Sequence, residues 1–131
     1  MITTIIPTFQ RPLLLKKAIE SILAQTYPHF KICIYDNASG DETEAVVKRF
    51  MEQDSRIFYH CHLENIGMMA NYEFALAKID TPFFSLLSDD DFLLPEFYAL
   101  TLQRCYFFKK RVFHRIVIGV KKIYSTINRA L

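Results

Sequence analysis

Short apolar, β-branched runs alternate along the chain with longer stretches whose apolar residues recur every three to four positions. Ile2–Ile6 reads as a short strand stopped by Pro7. Pro12 suits the first turn of a helix reaching to Gln25, with Leu15, Ala18, Ile19, Ile22 and Leu23 on one face. Tyr27-Pro28 ends it. Lys31–Tyr35 is a second strand, and Asp36–Asp41 is a turn rich in cap formers. Ser39 with Glu42, or Asp41 with Glu44, predicts a capping box for a helix over Glu42–Gln53. Arg56–Cys61 is a third strand, Glu64–Gly67 a loop, and a helix follows near Met68–Lys78. The run Pro82–Ser88 reads as a buried fourth strand, and Pro95 opens another helix. Strands alternating with helices of this length predict an α/β fold, an open, mostly parallel sheet with flanking helices.

The 131 residues are 51% hydrophobic and 23% charged, which fits a folded domain and argues against disorder. Charge divides the chain. Residues 1–103 carry 8 Lys/Arg and all 14 Asp/Glu, whereas residues 104–131 carry 8 Lys/Arg and no acid. The expected organisation is therefore an acidic, ligand-binding domain over 1–103 and a basic tail over 104–131. In that tail Val112, Ile116, Val120, Ile123 and Ile127 fall near one helical face, with Arg111, Arg115, Lys122 and Arg129 near another. This pattern fits a basic amphipathic helix on an anionic membrane surface, a helix packed back over the sheet, or an unselected extension. Cys33, Cys61 and Cys105 are odd in number and widely spaced, and read as buried free thiols in a reducing compartment. In a strand His60 and His62 share a face that Cys61 does not, which weighs against a zinc site there. The N-terminus lacks the basic and apolar regions of a signal peptide, and no apolar run is long enough to span a membrane.

Asp89, Asp90 and Asp91 follow the fourth strand directly. Adjacent carboxylates repel and require a cation, N–H donors or open water; an acidic turn satisfies the last two, a hard divalent cation the first. In parallel sheets ligands bind beyond the carboxyl ends of strands. Here those ends deliver Pro7–Arg11, Asp36–Asp41 and Ser88–Asp91, which converges polar and acidic groups on one edge. No Gly-x-Gly-x-x-Gly follows the first strand and no P-loop occurs, so phosphates would be held through a metal on the Asp cluster.

Four stretches together resemble family 2 glycosyltransferases of the GT-A fold: Thr4–Pro12 with Ala18–Tyr27, Tyr35–Asp41, Asn65-Ile66-Gly67 with Asn71, and Leu87–Asp91. The resemblance covers residues 2–103. It implies that Pro7 and Thr8 floor a nucleotide site to which Arg11, Asn37, Asn65, Gly67 and Asn71 also belong. It implies that Asp36 accepts the N3–H of uracil and that Asp89 binds ribose or sugar hydroxyls. Mg2+ or Mn2+ on the diphosphate would be held by Asp90 with Asp91. Ser88 stands where many members carry the first Asp of the metal motif, so the choice of ligand among the three carboxylates stays open.

The implied activity is a metal-dependent, inverting transfer from a UDP-sugar to a saccharide or lipid-linked acceptor. Nucleic acid is not an implied partner, and a cytoplasmic setting is implied, with peripheral contact at the inner membrane face through residues 104–131. The family's acceptor half commonly supplies a catalytic Asp or Glu. Residues 104–131 hold neither, and His114 beside Arg115 reads as a surface residue. The base is therefore expected to be missing from this chain. A non-catalytic nucleotide-sugar-binding module is the alternative, and a nucleotidyltransferase a weaker third reading.

Overall fold

The computed structural model describes residues 1–107 and 117–119, with side chains described through residue 103. The elements are β1 (Ile2–Thr8), α1 (Pro12–Leu23), β2 (Phe30–Asp36), α2 (Thr43–Gln53), β3 (Ile57–Cys61), α3 (Met68–Ala77), β4 (Phe83–Leu86), α4 (Phe97–Phe107) and β5 (Val117–Gly119). All strands pair in parallel, in the order β3-β2-β1-β4-β5. The chain steps from β1 to β2 and β3 on one side, then returns to place β4 on the other. The order therefore reverses at β1, and a crevice opens there at the carboxyl edge.

Alternation along β1 feeds two apolar layers. Ile2 and Ile6 pack with Leu15, Ala18, Ile19 and Ile22 of α1, Val47 of α2, and Tyr98 and Leu102 of α4. Ile5 turns the other way, against Ala75 of α3, Phe84 and Leu86. Helices α1, α2 and α4 thus cover one face and α3 the other. Thr4, fully buried on the first face, bonds the Tyr98 hydroxyl.

β1 continues through Pro7 to Thr8, two residues past the predicted stop. Ile5 bonds towards β4, since its carbonyl accepts the Leu87 N–H, and Thr8 bonds towards β2, since its carbonyl accepts the Asn37 N–H. Alternation then turns Pro7 towards β4, whose pairing with β1 ends at Ile5 and Leu86. Its missing N–H costs the ladder nothing at that point.

The capping box over Ser39–Glu44 does not form. The Ser39 hydroxyl is diverted to Asp36, α2 starts without a side-chain cap bond, and Asp41 Oδ1 accepts the Thr43 N–H at 2.9 Å. Cys33 is half-buried and Cys61 exposed, because β3 is the edge strand; the expectation of a buried thiol fails at Cys61. Most of the predicted basic helix over 104–131 lies outside the described residues. Where it is described, residues 104–107 continue α4, and Val117–Gly119 pair with Phe84–Leu86 as a strand instead of a helical turn. Among the described residues no helix is long and apolar enough to cross a membrane.

Tyr98→Phe would leave the buried Thr4 hydroxyl without its partner. It is expected to lower unfolding free energy by about 1–3 kcal/mol in urea titration. An unchanged midpoint would show that the pair contributes nothing.

Candidate functional site

The crevice is assembled from strand exits. At the end of β1 the Thr8 hydroxyl donates to Asp89 Oδ2 at 2.8 Å, while its carbonyl accepts the Asn37 N–H at 3.0 Å. One residue therefore joins the exits of β1, β2 and β4. Residues Ser88–Asp91 form a turn closed by the Asp91 N–H on the Ser88 carbonyl at 3.1 Å. The segment behind this turn is tied to α1. Gln25 Nε2 donates to the Leu94 carbonyl at 2.7 Å, Gln25 Oε1 accepts the Tyr98 N–H at 3.0 Å, and Ser21 Oγ accepts the Leu93 N–H at 3.1 Å. Rigid support behind the acidic turn holds its carboxylates in place.

The turn after β2 is braced from within. Asp36 is 1% exposed. Its Oδ1 accepts both the backbone N–H (2.9 Å) and the hydroxyl (2.5 Å) of Ser39, and its Oδ2 accepts the Tyr59 hydroxyl at 2.6 Å. Burial and the adjoining carboxylate together push the Tyr59 phenol well above its ordinary value. Ala38 and Gln10 adopt left-handed backbone, φ 62° and 54°, which is unfavourable for residues with a Cβ. The two turns clamp each other, since the Gln10 N–H donates to Ser39 Oγ at 2.8 Å. Asn37 reaches forward to the next loop: its Nδ2 donates to Asn65 Oδ1 and its Oδ1 accepts the Ile66 N–H, both at 2.9 Å. Gly67 sits at φ 87°, ψ 153°, a conformation essentially reserved for glycine, and starts α3.

Asn71, 2% exposed, is oriented by two partners. Its Nδ2 donates to the Tyr35 carbonyl at 2.9 Å, which leaves Oδ1 to accept His62 Nε2–H at 3.0 Å. The sequence pattern held no sign of His62 in this role. His60, His62 and Phe74 pack their rings at 4.8 Å centroid separations beside it.

Between these groups lies a pocket of about 290 Å³, near the lower end of the small-molecule range. Of the residues expected from sequence, Pro7, Thr8, Arg11, Asn37, Asn65, Asn71 and Asp89 line it. Asp36, Gly67, Asp90 and Asp91 are not among the residues that line it. Phe9 and Ser88, within the strand-exit stretches, also line it, as do Met68 and Tyr72, which were not expected. Met68 and Tyr72 are one helical turn apart on α3, a spacing that marks the lining face once Gly67 is taken as the helix start. Burial raises the Tyr72 phenol pKa, and the facing carboxylates of Asp89, Asp90 and Asp91 raise it further, against an opposing effect of Arg11.

Asp89 is almost buried and fully engaged, with Thr8 on Oδ2 and the Arg11 guanidinium on Oδ1 at 3.2 Å. Arg11 also reaches Asp90 Oδ2 at 3.4 Å, and Ser88 Oγ donates to Asp90 Oδ1 at 2.5 Å. Asp91 Oδ2 is buried with no hydrogen-bond partner. No group of three or more His, Cys, Asp or Glu side chains among the described residues forms a ready-made cage. That donor set fits Mg2+ or Mn2+, which take one or two carboxylates and complete their shell with water and phosphate oxygens. Asp90 and Asp91 are the carboxylates that could hold such an ion.

A family model described as "Glycosyl transferase family 2" matches residues 3–116. The chain belongs to glycosyl transferase family 2. Among curated relatives in this family, the GalNAc(5)-diNAcBac-PP-undecaprenol beta-1,3-glucosyltransferase of Campylobacter jejuni is 34% identical over 104 residues, covering 79% of this chain and 34% of that protein. Glycosyltransferase GlyA of Streptococcus pneumoniae is 31% identical over 124 residues, covering 95% of this chain and 17% of that protein. The chain thus spans 34% and 17% of the length of these relatives. Among solved structures, S. aureus TarS in complex with UDP superposes with a TM-score of 0.69 at 21% identity, covering 82% of this chain and 31% of that one. A mannosyltransferase from Pyrobaculum calidifontis in complex with GDP-Man and Mn2+ gives 0.64 at 23% identity, covering 70% and 28%. The fold expected from sequence, a GT-A-type parallel sheet flanked by helices, is the fold observed.

Asn37→Ala removes both bonds that close the Asn65 loop. The Ile66 amide is expected to exchange with solvent about tenfold faster or more, the equivalent of about 1.4 kcal/mol. Unchanged exchange would mean that Asn37 does not hold the loop. A second expectation concerns pH. Burial, with smaller effects of His62 and Lys78, holds the His60 imidazole below its ordinary value of 6.5. The unfolded chain then binds the proton more readily, so this contribution is complete above about pH 6.5 and is lost as pH falls. Thermal unfolding of His60→Gln should decline less steeply with acidification than wild type; equal slopes would contradict it.

Proposed function

We propose that the crevice is the donor site for a nucleoside diphosphate sugar, in the first instance a UDP-sugar. The chain would then serve the donor side of an inverting sugar transfer to a saccharide or lipid-linked acceptor. The observation that carries this reading is the pairing of two kinds of group in one pocket. Buried, oriented amides and a hydroxyl lie on one side, and a carboxylate turn faced by a guanidinium lies on the other. The first kind suits a nucleoside and the second a metal-bound diphosphate. The named UDP and GDP-Man complexes of structurally similar proteins support the same ligand class.

Each residue has a definite task in this reading. Pro7 and Thr8 form the floor, and Thr8 additionally fixes Asp89, whose carboxylate is set to receive ribose or sugar hydroxyls. Asn71 keeps one amide proton free of its two partners, a donor for a nucleotide oxygen. Asp36 is the candidate acceptor for the uracil N3–H. Its Oδ2 carries one bond in this structure, from the Tyr59 hydroxyl, and retains a lone pair. Mg2+ or Mn2+ on Asp90 and Asp91, when bound, supplies Lewis-acid stabilisation to the departing nucleoside diphosphate. No residue of 1–103 is assigned as the base for the acceptor hydroxyl. The alternative reading, in which the chain binds the nucleotide sugar without transferring it, calls for no such base.

Calorimetric titration of UDP tests the donor site. Mn2+ is expected to tighten UDP binding about tenfold or more, and Asp91→Asn to abolish that gain while leaving metal-free binding in place. Failure of the wild-type chain to bind UDP with Mn2+ present would overturn the reading. Turnover of a labelled UDP-sugar by the same preparation would exclude the binding-only alternative.

A further inference from the structure

Arg11 pairs with two carboxylates of the acidic turn, Asp89 and Asp90, and its geometry is that of a replaceable counter-ion. The two ends of the pair are unequal. The Asp89 side chain is 6% exposed, so its charge requires compensation whether or not a ligand is bound, whereas the Arg11 side chain is 51% exposed at the pocket mouth. The contacts, 3.2 Å to Asp89 and 3.4 Å to Asp90, are long for charge-assisted bonds, and neither is bidentate. A guanidinium stays charged, so when it leaves these carboxylates their charge calls for another cation or for water.

The backbone around Arg11 is anchored while the side chain is not. Gln10 is clamped to Ser39, and the Arg11 carbonyl accepts the Leu15 N–H at 2.9 Å as α1 begins. Arg11 stands at the N-cap position but makes no side-chain cap bond, so nothing in α1 holds the guanidinium. It can swing from the carboxylates into the pocket it already lines.

We propose that Arg11 is a resident counter-ion that exchanges places with the divalent cation. Without ligand it neutralises Asp89 and Asp90. When the metal and a nucleoside diphosphate enter together, the metal takes the carboxylate turn and the guanidinium moves onto the diphosphate, an anion that matches its fork of donors. Metal alone must displace Arg11 into water, and nucleotide alone must draw it from Asp89, so each ligand assists the other. Arg11 would thereby couple the two binding events and suppress metal binding in the absence of a donor. This rests on the donor-site reading above.

The test is Mn2+ binding to the full chain, followed by the spin-resonance signal of free Mn2+, with and without UDP, for wild type, Arg11→Gln and Arg11→Lys. Circular dichroism establishes that each variant is folded. Arg11→Gln is expected to bind Mn2+ alone about fivefold tighter than wild type, and the factor by which UDP tightens Mn2+ binding should shrink about tenfold, within the range of ordinary coupling between sites. Arg11→Lys keeps the charge and should retain most of the wild-type coupling. Equal or weaker Mn2+ binding by Arg11→Gln without UDP would overturn the exchange while leaving the donor site standing. Absence of both UDP and Mn2+ binding in wild type would overturn the donor site and the exchange with it.

Discussion

Thr8 holds the exits of three strands in one place. Its hydroxyl is bonded to Asp89 beyond β4 and its carbonyl to the Asn37 N–H beyond β2, while its own backbone ends β1. The residue is 3% exposed, so neither bond competes with bulk water. The strand order turns at β1, so Thr8 at its end lies between the exits of β2 and β4. The carboxylate turn, the Asn37 bridge to the Asn65 loop and the entry to α1 are all placed relative to this point. Loss of the hydroxyl alone would leave Asp89 Oδ2 without its donor in an almost dry position, a greater cost than the net worth of one hydrogen bond.

The electrostatic design follows from that anchoring. Three adjacent carboxylates are tolerated at a strand exit because they are treated differently. Asp89 is buried and bonded on both oxygens, Asp90 is shared between Ser88 and Arg11, and Asp91 keeps one buried oxygen without a partner. Unequal environments give the turn a fixed member, a compensated member and an unfilled one. Asp36, by contrast, spends most of its bonding capacity on Ser39 and Tyr59, and so stabilises the β2 turn.

Element order was legible because it is written in local period, with β-branched runs for strands and three-to-four spacing for helices. The convergence of Thr8, Arg11, Asn37, Asn65, Asn71 and Asp89 on one pocket was legible too, because parallel topology sends every strand exit to the same edge. Features that depend on partners distant in sequence were not. Tyr59 on Asp36, His62 on Asn71 and Tyr98 on Thr4 are paired across 23, 9 and 94 positions, and nothing local marks them. Ser39 was assigned to a helix cap from its neighbours, but Asp36 and the Gln10 N–H compete for it more effectively. The helix expected over 104–131 rested on the spacing of Val112, Ile116, Val120, Ile123 and Ile127, whereas Val117–Gly119 between them pairs with β4 as a strand, in keeping with the β-branched Val117 and Ile118.

Nuclear magnetic resonance of the full chain with UDP and substoichiometric Mn2+ would locate a bound ion directly, since the paramagnetic metal broadens amides near it. Broadening centred on Ser88–Asp91 and extending to Thr8, Arg11 and Asn71, stronger with UDP than without, is the outcome a donor site at the β1–β4 exits requires. Broadening centred on His60 and His62 at the β3 edge, or none with UDP saturating, would contradict it.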